Sequence, residues 1–200
     1  MKPVIRLARE SDAPAVSRIY RPIVESTAIS FELEPPDESE MGRRIQDTLA
    51  RYPWLICEID DRVAGYAYAS KHRVRAAYRW SVDVSICVDA AYRRWGIARG
   101  LYTSLFAILA AQGFFNAYAG IALPNPASIA LHESLGFHAV GVYHNVGFKL
   151  GRWHDVGWWE LHLRPHDTSP GEPLTLEAVA RRADWHGLLV RGEPAIREGV

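Results

Sequence analysis

The segment from residue 81 to residue 122 constrains the fold more than any other part of the chain. SVDVSICV at 81–88 alternates polar and apolar residues, as a half-buried strand does. An amphipathic helical pattern then runs from Ile97 to Gly113, and NAYAGIA at 116–122 is again typical of a strand. A strand, a helix and a strand of these lengths imply two parallel strands joined by a right-handed crossover.

Upstream of this unit the sequence predicts one strand, two helices and a hairpin. Val4–Leu7 is a short strand-like run, and Asp12 stands where it would cap the first helix. Asp37 and Glu40 have the spacing of a capping box for the second helix. WLICEI and VAGYAYA, separated by Asp60-Asp61-Arg62, favour an antiparallel hairpin.

Downstream, a short helix and two more strands complete the order βααβββαβαββ. The helix is predicted at 128–135, and the strands at 138–148 and 153–163. HDTSPGEP, which follows the last strand, is a polar, proline-containing linker. We therefore expect a catalytic domain at 1–165, with 166–200 as a linker and C-terminal extension.

The balance of charge excludes several classes of partner. Lys and Arg together number 23, as do Asp and Glu, so no long-range field attracts nucleic acid or an anionic membrane. The first residues lack an apolar signal region, and no stretch is long enough to span a bilayer, which predicts a cytoplasmic protein. Cys57 and Cys87 lie singly in strand-like runs, which favours reduced thiols over a disulfide or a zinc site.

The loop before the crossover helix carries the most informative motif. Residues 93–98 fit the pattern R-x-x-G-x-A between a strand and a helix. The start of a helix offers free N–H groups and the positive end of the helix dipole, and small residues let a phosphate approach. The pattern lacks the three glycines of the dinucleotide fingerprint and the Gly-Lys-Ser/Thr of a P-loop. It indicates a pyrophosphate site of another kind.

The order of these motifs resembles the GCN5-related N-acetyltransferase (GNAT) superfamily over about residues 4–163. The strand, the R-x-x-G-x-A loop, Asn125 and the LGF at 135–137 are together similar to its acetyl-CoA site. VGFKLGRWHDVGWWE at 146–160 resembles the phosphinothricin acetyltransferase subfamily. The resemblance implies an α/β (α+β) GNAT fold, with a mixed, mostly antiparallel seven-stranded sheet, a V-shaped splay between two strands and about four flanking helices.

The resemblance also implies that acetyl-CoA is the cosubstrate and that no metal is required. The strand before the motif would offer backbone hydrogen bonds to the pantetheine arm, and the loop would hold the pyrophosphate. Two residues of the following helix would meet the far end of the arm. The expected cofactor-binding residues are Ile86, Cys87, Val88, Arg93, Arg94, Trp95, Gly96, Ile97, Ala98, Asn125 and Ser128.

Asp83 is the predicted base, because an ammonium group must lose a proton before it attacks a thioester. The subfamily usually has glutamate here, so the shorter aspartate favours transfer through a water molecule. His132 is the predicted proton donor for the leaving thiolate, since it lies seven residues after Asn125, where many superfamily members place a tyrosine. A salt-bridged or solvated Asp83 and a structural His132 are the alternatives.

Covalent and metal-dependent chemistry are less favoured by these residues. An acyl intermediate on Cys87 needs an adjacent base, and none is evident. We expect direct transfer in a ternary complex, with backbone N–H groups near Cys87 and Val88 stabilising the oxyanion. His132 and His138 are six residues apart and do not share a helical face, so no metal site is predicted.

The expected acceptor is a small amino acid or analogue of the phosphinothricin, methionine sulfoximine or methionine sulfone type. The planar guanidinium groups of Arg73 and Arg75 suit its carboxylate, although a basic loop can also be merely solvated. Glu25, Glu32 and Glu34 lie where the family forms its substrate wall. Other residues expected to line or support the pocket are Phe31, Trp80, Tyr143, Lys149 and His154.

Subfamily members are usually homodimers, and the tryptophan-rich final strands would suit an apolar interface. Two other functions stay open at this point. Acetylation of a protein N-terminus or a polyamine predicts a more acidic or open groove than the basic loop at 71–79. A non-catalytic acyl-CoA sensor would keep the 93–98 loop but would not need an acid and a base.

Overall fold

The predicted order of elements is present in the computed structural model, which describes residues 2–197. The strands are β1 (Pro3–Leu7), β2 (Trp54–Ile59), β3 (Arg62–Lys71), β4 (Ser81–Val88), β5 (Asn116–Ala122), β6 (His138–Lys149) and β7 (Arg152–His162). The helices are α1 (Ala13–Ser26), α2 (Glu38–Leu49), α3 (Ile97–Gln112), α4 (Pro126–Ser134), α5 (Leu176–Ala180) and α6 (Trp185–Leu189). Four of these six helices precede residue 165, as expected.

All seven strands form one open sheet in the order β1-β2-β3-β4-β5-β7-β6. Only β4 and β5 are parallel, because α3 carries the chain across the sheet between them. β2 and β3 are joined by the two-residue turn Asp60-Asp61, whose φ angles of 47° and 63° match a tight hairpin turn. The mixed, mostly antiparallel sheet is therefore confirmed.

β4 and β5 separate soon after they meet. They pair at only three positions, Ser81 with Asn116, Val82 with Ala117 and Asp83 with Tyr118. Beyond Asp83, β4 pairs only with β3, and beyond Tyr118, β5 pairs only with β7. The sheet thus opens into the expected V at its centre, and Asp83 lies at the vertex.

Alternation along the strands divides the core between the two faces of the sheet. Leu55 and Cys57 face α3, where they pack with its residues Leu101 and Leu105. Their neighbours on β2 face α1 and α2, in a second cluster formed by Val16, Ile19, Met41, Ile45, Trp54, Ile56 and Tyr66. The V between β4 and β5 therefore opens toward a layer of helices on each face.

The caps of the first two helices differ in how far they follow the sequence. Asp37 caps α2, since its carboxylate accepts a hydrogen bond from the Glu40 N–H at 2.7 Å. The other half of the predicted capping box does not form, because the Glu40 carboxylate accepts from Arg43 and Arg44 instead. Asp12 also lies at the N-cap of α1, but its carboxylate makes no cap bond there. Instead it accepts hydrogen bonds from the Arg6 guanidinium at 2.7 Å and from the Arg9 N–H at 2.7 Å. The half-buried guanidinium of Arg6 therefore takes the place of a cap bond at this carboxylate.

The C-terminal extension packs along α3. Leu176, Val179 and Ile196 are buried there. The Gly192 N–H donates to the Ser104 hydroxyl at 3.0 Å, and the Arg197 N–H donates to the Trp95 carbonyl at 2.9 Å. The extension therefore holds both the middle of α3 and the loop before it. Within residues 2–197 no helix has the length and apolar character needed to cross a membrane.

Candidate active site

A cavity of about 470 Å³ occupies the V between β4 and β5. On the α1–α2 side it is lined by the aromatic stack of Trp54, Tyr66 and Tyr68 and by the 29–32 segment. On the other side it reaches α3 and α4. We call this cavity the slot. The residues that the sequence analysis placed at the site and that line the slot are Glu32, Ile86, Cys87, Asn125, Ser128 and His132.

The R-x-x-G-x-A loop lies at one end of β4 and starts α3. Arg94 and Gly96 both have left-handed backbones, with φ of 70° and 78°. The first hydrogen bond of the helix runs from the Gly100 N–H to the Gly96 carbonyl at 2.9 Å, so the N–H groups of residues 97–99 have no partner within the helix. The side chains of Arg93 and Arg94 are exposed beside them. The loop can therefore hold a pyrophosphate through N–H groups and two guanidinium groups.

Asp83 is paired with a histidine that the motifs did not single out. His72, just after β3, places Nδ1 2.6 Å from the Asp83 Oδ1. Burial raises the pKa of Asp83 above its ordinary value, while the hydrogen bond from His72 and the charge of Arg73 act against this rise. The carboxylate is thus neither free in solvent nor paired with a lysine or arginine; it is held by an imidazole.

His132 is buried and has both ring nitrogens engaged. Nδ1 lies 2.8 Å from the Ser128 carbonyl, which can only accept, so Nδ1 carries the proton. Nε2 lies 3.2 Å from the Tyr102 hydroxyl and accepts from it. Burial lowers the pKa of His132, which favours the neutral ring. In this arrangement His132 has no free proton to donate, and its role as the acid stays a prediction.

A second cluster surrounds Trp158, beside the vertex of the V. We call this region the outer side of the V. The Arg73 guanidinium lies 5.4 Å from the Trp158 ring centre, and the Tyr143 ring lies 5.8 Å from it. His72 is 6.3 Å from the same indole. Arg75 is exposed on the same loop. The structure therefore brings Arg73 and Tyr143 together near Asp83, whereas no contact ties Arg75 to this cluster.

Three other predicted substrate residues form a support for the segment that lines the slot. Lys149 is buried, and its ammonium donates to the carbonyls of Val24 at 2.6 Å and Ser30 at 2.8 Å. His154 Nε2 donates to the Lys149 carbonyl at 3.0 Å. The Phe31 ring packs 6.1 Å from the His154 ring. None of the three lines the slot, because the polar groups of Lys149 and His154 bind the main chain and the Phe31 ring packs against His154.

Trp80 and Cys87 have local surroundings that bear on their predicted roles. The Trp80 indole N–H donates to the Gly171 carbonyl at 2.8 Å, at the end of β4 away from the slot. This tryptophan therefore contacts the linker instead of the pocket. Cys87 lines the slot, but burial raises the pKa of its thiol to about 11. A neutral thiol is a poor nucleophile, which favours direct transfer over an acyl-cysteine.

Sequence reasoning missed His72, Tyr102 and Tyr118. His72 lies in a loop of mostly basic residues, where no spacing marks it as different from a solvated side chain. Tyr102 occupies a core position of an amphipathic helix, and Tyr118 one position of a short strand. The alternation of β5 does place Tyr118 on one face, but only the register with β4 puts it opposite Asp83. Within residues 2–197 no group of three or more His, Cys, Asp or Glu side chains is arranged to hold a metal ion.

Comparison with known proteins identifies what this arrangement is similar to. The sequence profile of the acetyltransferase (GNAT) domain matches residues 5–158. A phosphinothricin N-acetyltransferase of Streptomyces viridochromogenes is 39% identical over 172 residues, which are 86% of this chain and 94% of that protein. An L-methionine sulfoximine/L-methionine sulfone acetyltransferase of Salmonella typhimurium is 33% identical over 163 residues, 81% of this chain and 95% of that protein.

A solved structure has a similar overall architecture. The phosphinothricin acetyltransferase of Sinorhizobium meliloti, determined in complex with AcCoA, is 36% identical and superposes with a TM-score of 0.82. The match covers 87% of this chain and 96% of that one. The likeness therefore extends over most of both chains.

Proposed function

The chain belongs to the GNAT acetyltransferase family, and from that premise we propose that it acetylates the amino group of a small amino acid or analogue. It is an N-acetyltransferase that takes its acetyl group from acetyl-CoA. Its relatives act on phosphinothricin and on methionine sulfoximine or sulfone. The proposed acceptor is a compound of that class, bound on the outer side of the V.

The residues present suit acetyl-CoA in the 93–98 loop, along β4 and at the α4 side of the slot. The loop at 93–98 offers N–H groups and two arginines to a pyrophosphate. Beyond Asp83, the edge of β4 that faces β5 has no strand partner, so the backbone groups on that edge are available to a pantetheine arm. Asn125 and Ser128 line the slot at its α4 side, where the Asn125 side chain also caps α4 by accepting from the Ser128 N–H. We propose that these residues orient the thioester toward the vertex of the V.

A single observation carries the choice of acceptor. Asp83, at the vertex of the V, lies next to a guanidinium, that of Arg73, which is held over Trp158 and hydrogen-bonds to the His72 carbonyl. A carboxylate and a guanidinium that interact electrostatically suit a molecule that carries an ammonium and a carboxylate a few bonds apart. A polyamine or the N-terminus of a protein has no carboxylate at that distance.

Release of the coenzyme thiol in the presence of acetyl-CoA tests this proposal. The acceptor panel contains methionine sulfone, methionine sulfoximine and phosphinothricin, with spermidine and an alanine-terminated peptide as the contrasting acceptors. We expect turnover of the three amino acids. Arg73→Ala should raise the KM for them by about 10- to 100-fold, the value of one charge-assisted hydrogen bond, and leave the KM for acetyl-CoA unchanged.

Arg62→Ala is the matched control for this variant, because Arg62 is an exposed arginine at the start of β3, whereas Arg73 lies just beyond the other end of that strand. It should behave as the unmodified protein. Turnover of spermidine or of the peptide without turnover of any amino acid would contradict the proposal. Tight acetyl-CoA binding without turnover of any amine would contradict catalysis altogether.

We further propose that the enzyme is a homodimer that works in the cytoplasm. β6 is an edge strand, and a row of large apolar side chains on and beside it is exposed, among them Val142, Phe148 at 57% and Trp153 at 60%. An apolar edge of this kind invites pairing with a second copy. The unpaired thiols of Cys57 and Cys87 suit a reducing compartment.

Sedimentation equilibrium measures the assembly. We expect the mass of two chains, and Phe148→Asp should shift the equilibrium toward one chain, because a buried carboxylate without a partner is costly. Val74→Asp is the control, since Val74 is a large exposed apolar residue outside this edge. A single-chain mass for the unmodified protein at micromolar concentration would contradict the dimer.

A further inference from the structure

His72 and Asp83 form a carboxylate–imidazole pair at the vertex of the V. The distance of 2.6 Å between Nδ1 and Oδ1 is that of a strong hydrogen bond. An ionised carboxylate can only accept, so the proton of a neutral imidazole lies on Nδ1. The other nitrogen, Nε2, then has a free lone pair. Among the hydrogen bonds found within residues 2–197, none involves Nε2 of His72.

The ring of His72 is fixed by its neighbours on every element that packs against it. It stacks on Tyr118 of β5, with centroids 4.3 Å apart and planes at 16°. Tyr78 and Trp158 meet its edge at 5.9 and 6.3 Å. The charged and titratable groups around it are Asp83 on β4, Arg73 on its own loop, Tyr78, Tyr118, and Glu160 on β7 opposite Tyr118.

The pair lies beside the slot and not inside it. The next residue on the same face of β4 is Ser85, and the next on the same face of β5 is Gly120, and both line the slot. Two residues of a strand span about 6.6 Å. The absence of a side chain at Gly120 makes room for the Trp158 indole, whose ring atoms would lie 3.3–3.5 Å from a Cβ added there. Because His72 lies 6.3 Å from the same indole, an acceptor bound beside Trp158 is close to both His72 and the slot.

We propose that His72 is the catalytic residue that takes the proton from the acceptor ammonium through Nε2, and that Asp83 is the positioning residue that holds its tautomer. This inference rests on the proposed function. It assigns the first proton transfer to an imidazole, whereas the sequence alone pointed to the carboxylate. An imidazole suits this step because its affinity for protons lies near neutral pH, and a carboxylate beside it stabilises the imidazolium that forms.

Acetyl transfer removes two protons from the acceptor nitrogen. One proton leaves the ammonium for Nε2, and the imidazolium passes it to solvent. The lone pair set free on nitrogen forms the bond to the thioester carbon, and the carbon–sulfur bond breaks with its electron pair on sulfur. The second proton lost by the nitrogen neutralises the thiolate. The products are an amide, a thiol and one proton in solution, and no donor beyond the acceptor itself is needed.

The pH profile of kcat/KM separates this role from a structural one. We expect His72→Gln to lower kcat/KM by about 10²- to 10⁴-fold, the usual contribution of a general base, and to abolish the limb of the profile that falls toward acid. Free imidazole should restore part of the activity of His72→Ala. A small loss in His72→Gln with the same acid limb would mean that Asp83 acts directly, and would overturn the proposal.

A measurement without any acceptor keeps this test apart from the test of the proposed function. In ¹⁵N spectra of the neutral rings, assigned by comparison with His72→Gln, the signal of His72 should show a proton on Nδ1 and a bare Nε2. Asp83→Ala should shift it toward the Nε2–H form. A proton on Nε2 in the unmodified protein overturns the proposal, whether or not the enzyme turns over amino acids. If no amino acid is acetylated, the proposed function fails first.

A matched control is present in the same chain. His144 also places its Nδ1 near an aspartate, 3.0 Å from Asp155, but the pair is largely exposed and neither residue lines the slot. His144→Gln should keep the rate and the acid limb of the unmodified enzyme. Equal losses in His72→Gln and His144→Gln would mean that the effect is not specific to the vertex, and would also overturn the proposal.

Discussion

At the scale of single residues, the buried polar side chains mostly serve the backbone. Lys149 binds the carbonyls of Val24 and Ser30, and His132 binds that of Ser128. The Val24 carbonyl lies in the last turn of α1, where carbonyls have no partner within the helix, and Lys149 supplies one. A polar residue in a family motif can therefore shape the site without touching a substrate.

Lys149→Met tests this view of the lysine. It removes two charge-assisted hydrogen bonds while keeping the length of the side chain, so we expect the free energy of unfolding to fall by about 2 kcal/mol. The KM for the acceptor should rise as well, because Ser30 belongs to the segment that lines the slot. Denaturant unfolding and steady-state kinetics measure the two effects.

Lys2→Met, at an exposed lysine, is the control and should change neither quantity. The opposite possibility is that Lys149 binds the acceptor directly. The variant would then raise the KM and leave the free energy of unfolding unchanged.

The sequence predicted the part of this site whose residues are marked by their place within a single strand or at the start of a helix. Asp83 was found from strand alternation and the family pattern, and Gly96 from its place before a helix. His72 was not found, since its role depends on a loop folding back to within 2.6 Å of a strand residue eleven positions later. The bonds of Lys149 span more than a hundred residues, and no local pattern encodes them.

At the scale of elements, the C-terminal extension packs directly against the R-x-x-G-x-A loop. A Cβ added at Gly96 would lie 2.1 Å from the Ala195 carbonyl oxygen, and the Trp95 carbonyl accepts from the Arg197 N–H. Glycine is therefore required at position 96 for two reasons. It adopts a left-handed backbone, and its lack of a side chain lets Ala195 of the extension approach the loop.

Gly96→Ala should be more costly than the backbone alone explains. Gly151 has a similar φ, 76° against 78°, but a Cβ there meets nothing within 4 Å. Gly151→Ala should cost only the strain of the left-handed region, roughly 1–2 kcal/mol. Gly96→Ala should cost more and also raise the KM for acetyl-CoA, because the loop must move away from Ala195.

Denaturant unfolding of both variants, with acetyl-CoA kinetics, checks this difference. Equal destabilisation would mean that the extension does not brace the loop. An unchanged KM for acetyl-CoA in Gly96→Ala would mean that the loop is not part of the cosubstrate site.

The elements themselves were well predicted, and the reason is their periodicity. β2, β3, β4 and β5 alternate or form short apolar runs between turn residues, and α3 carries a clear apolar stripe ended by a glycine. The caps were less predictable. Asp12 has the right residue type at the right place, but Arg6 provides a stronger partner for its carboxylate than a helix N–H does.

At the scale of the whole molecule, the polar linker after residue 165 marks a boundary in the sequence, but the segment that follows it packs against the preceding domain. We propose that the catalytic domain spans 1–165 and that the extension acts as a brace on α3. Leu176, Val179 and Ile196 are buried by this contact. Burying three such side chains contributes roughly 5 kcal/mol, which is a large share of the stability of an ordinary domain.

A chain truncated after residue 165 should therefore be less stable than the full chain and bind acetyl-CoA more weakly. Thermal unfolding and the KM for acetyl-CoA measure this. If the truncated protein fails to fold, Ile196→Ala in the full chain tests the same contact more mildly. We expect it to lower the free energy of unfolding by about 2–4 kcal/mol. Equal melting temperatures for the truncated and full chains would contradict the brace.

Because β4 and β5 pair at only three positions, the sheet has two unpaired strand edges that face each other across the slot. Beyond Asp83 and Tyr118 each strand keeps one row of backbone donors and acceptors that no protein strand satisfies. Buried groups of this kind do not stay without hydrogen bonds, so water must occupy them whenever a ligand does not. An elongated molecule with amide groups can replace that water as a short extra strand would. Recognition of the cosubstrate is, in these terms, the temporary completion of a β-sheet by something that is not a protein.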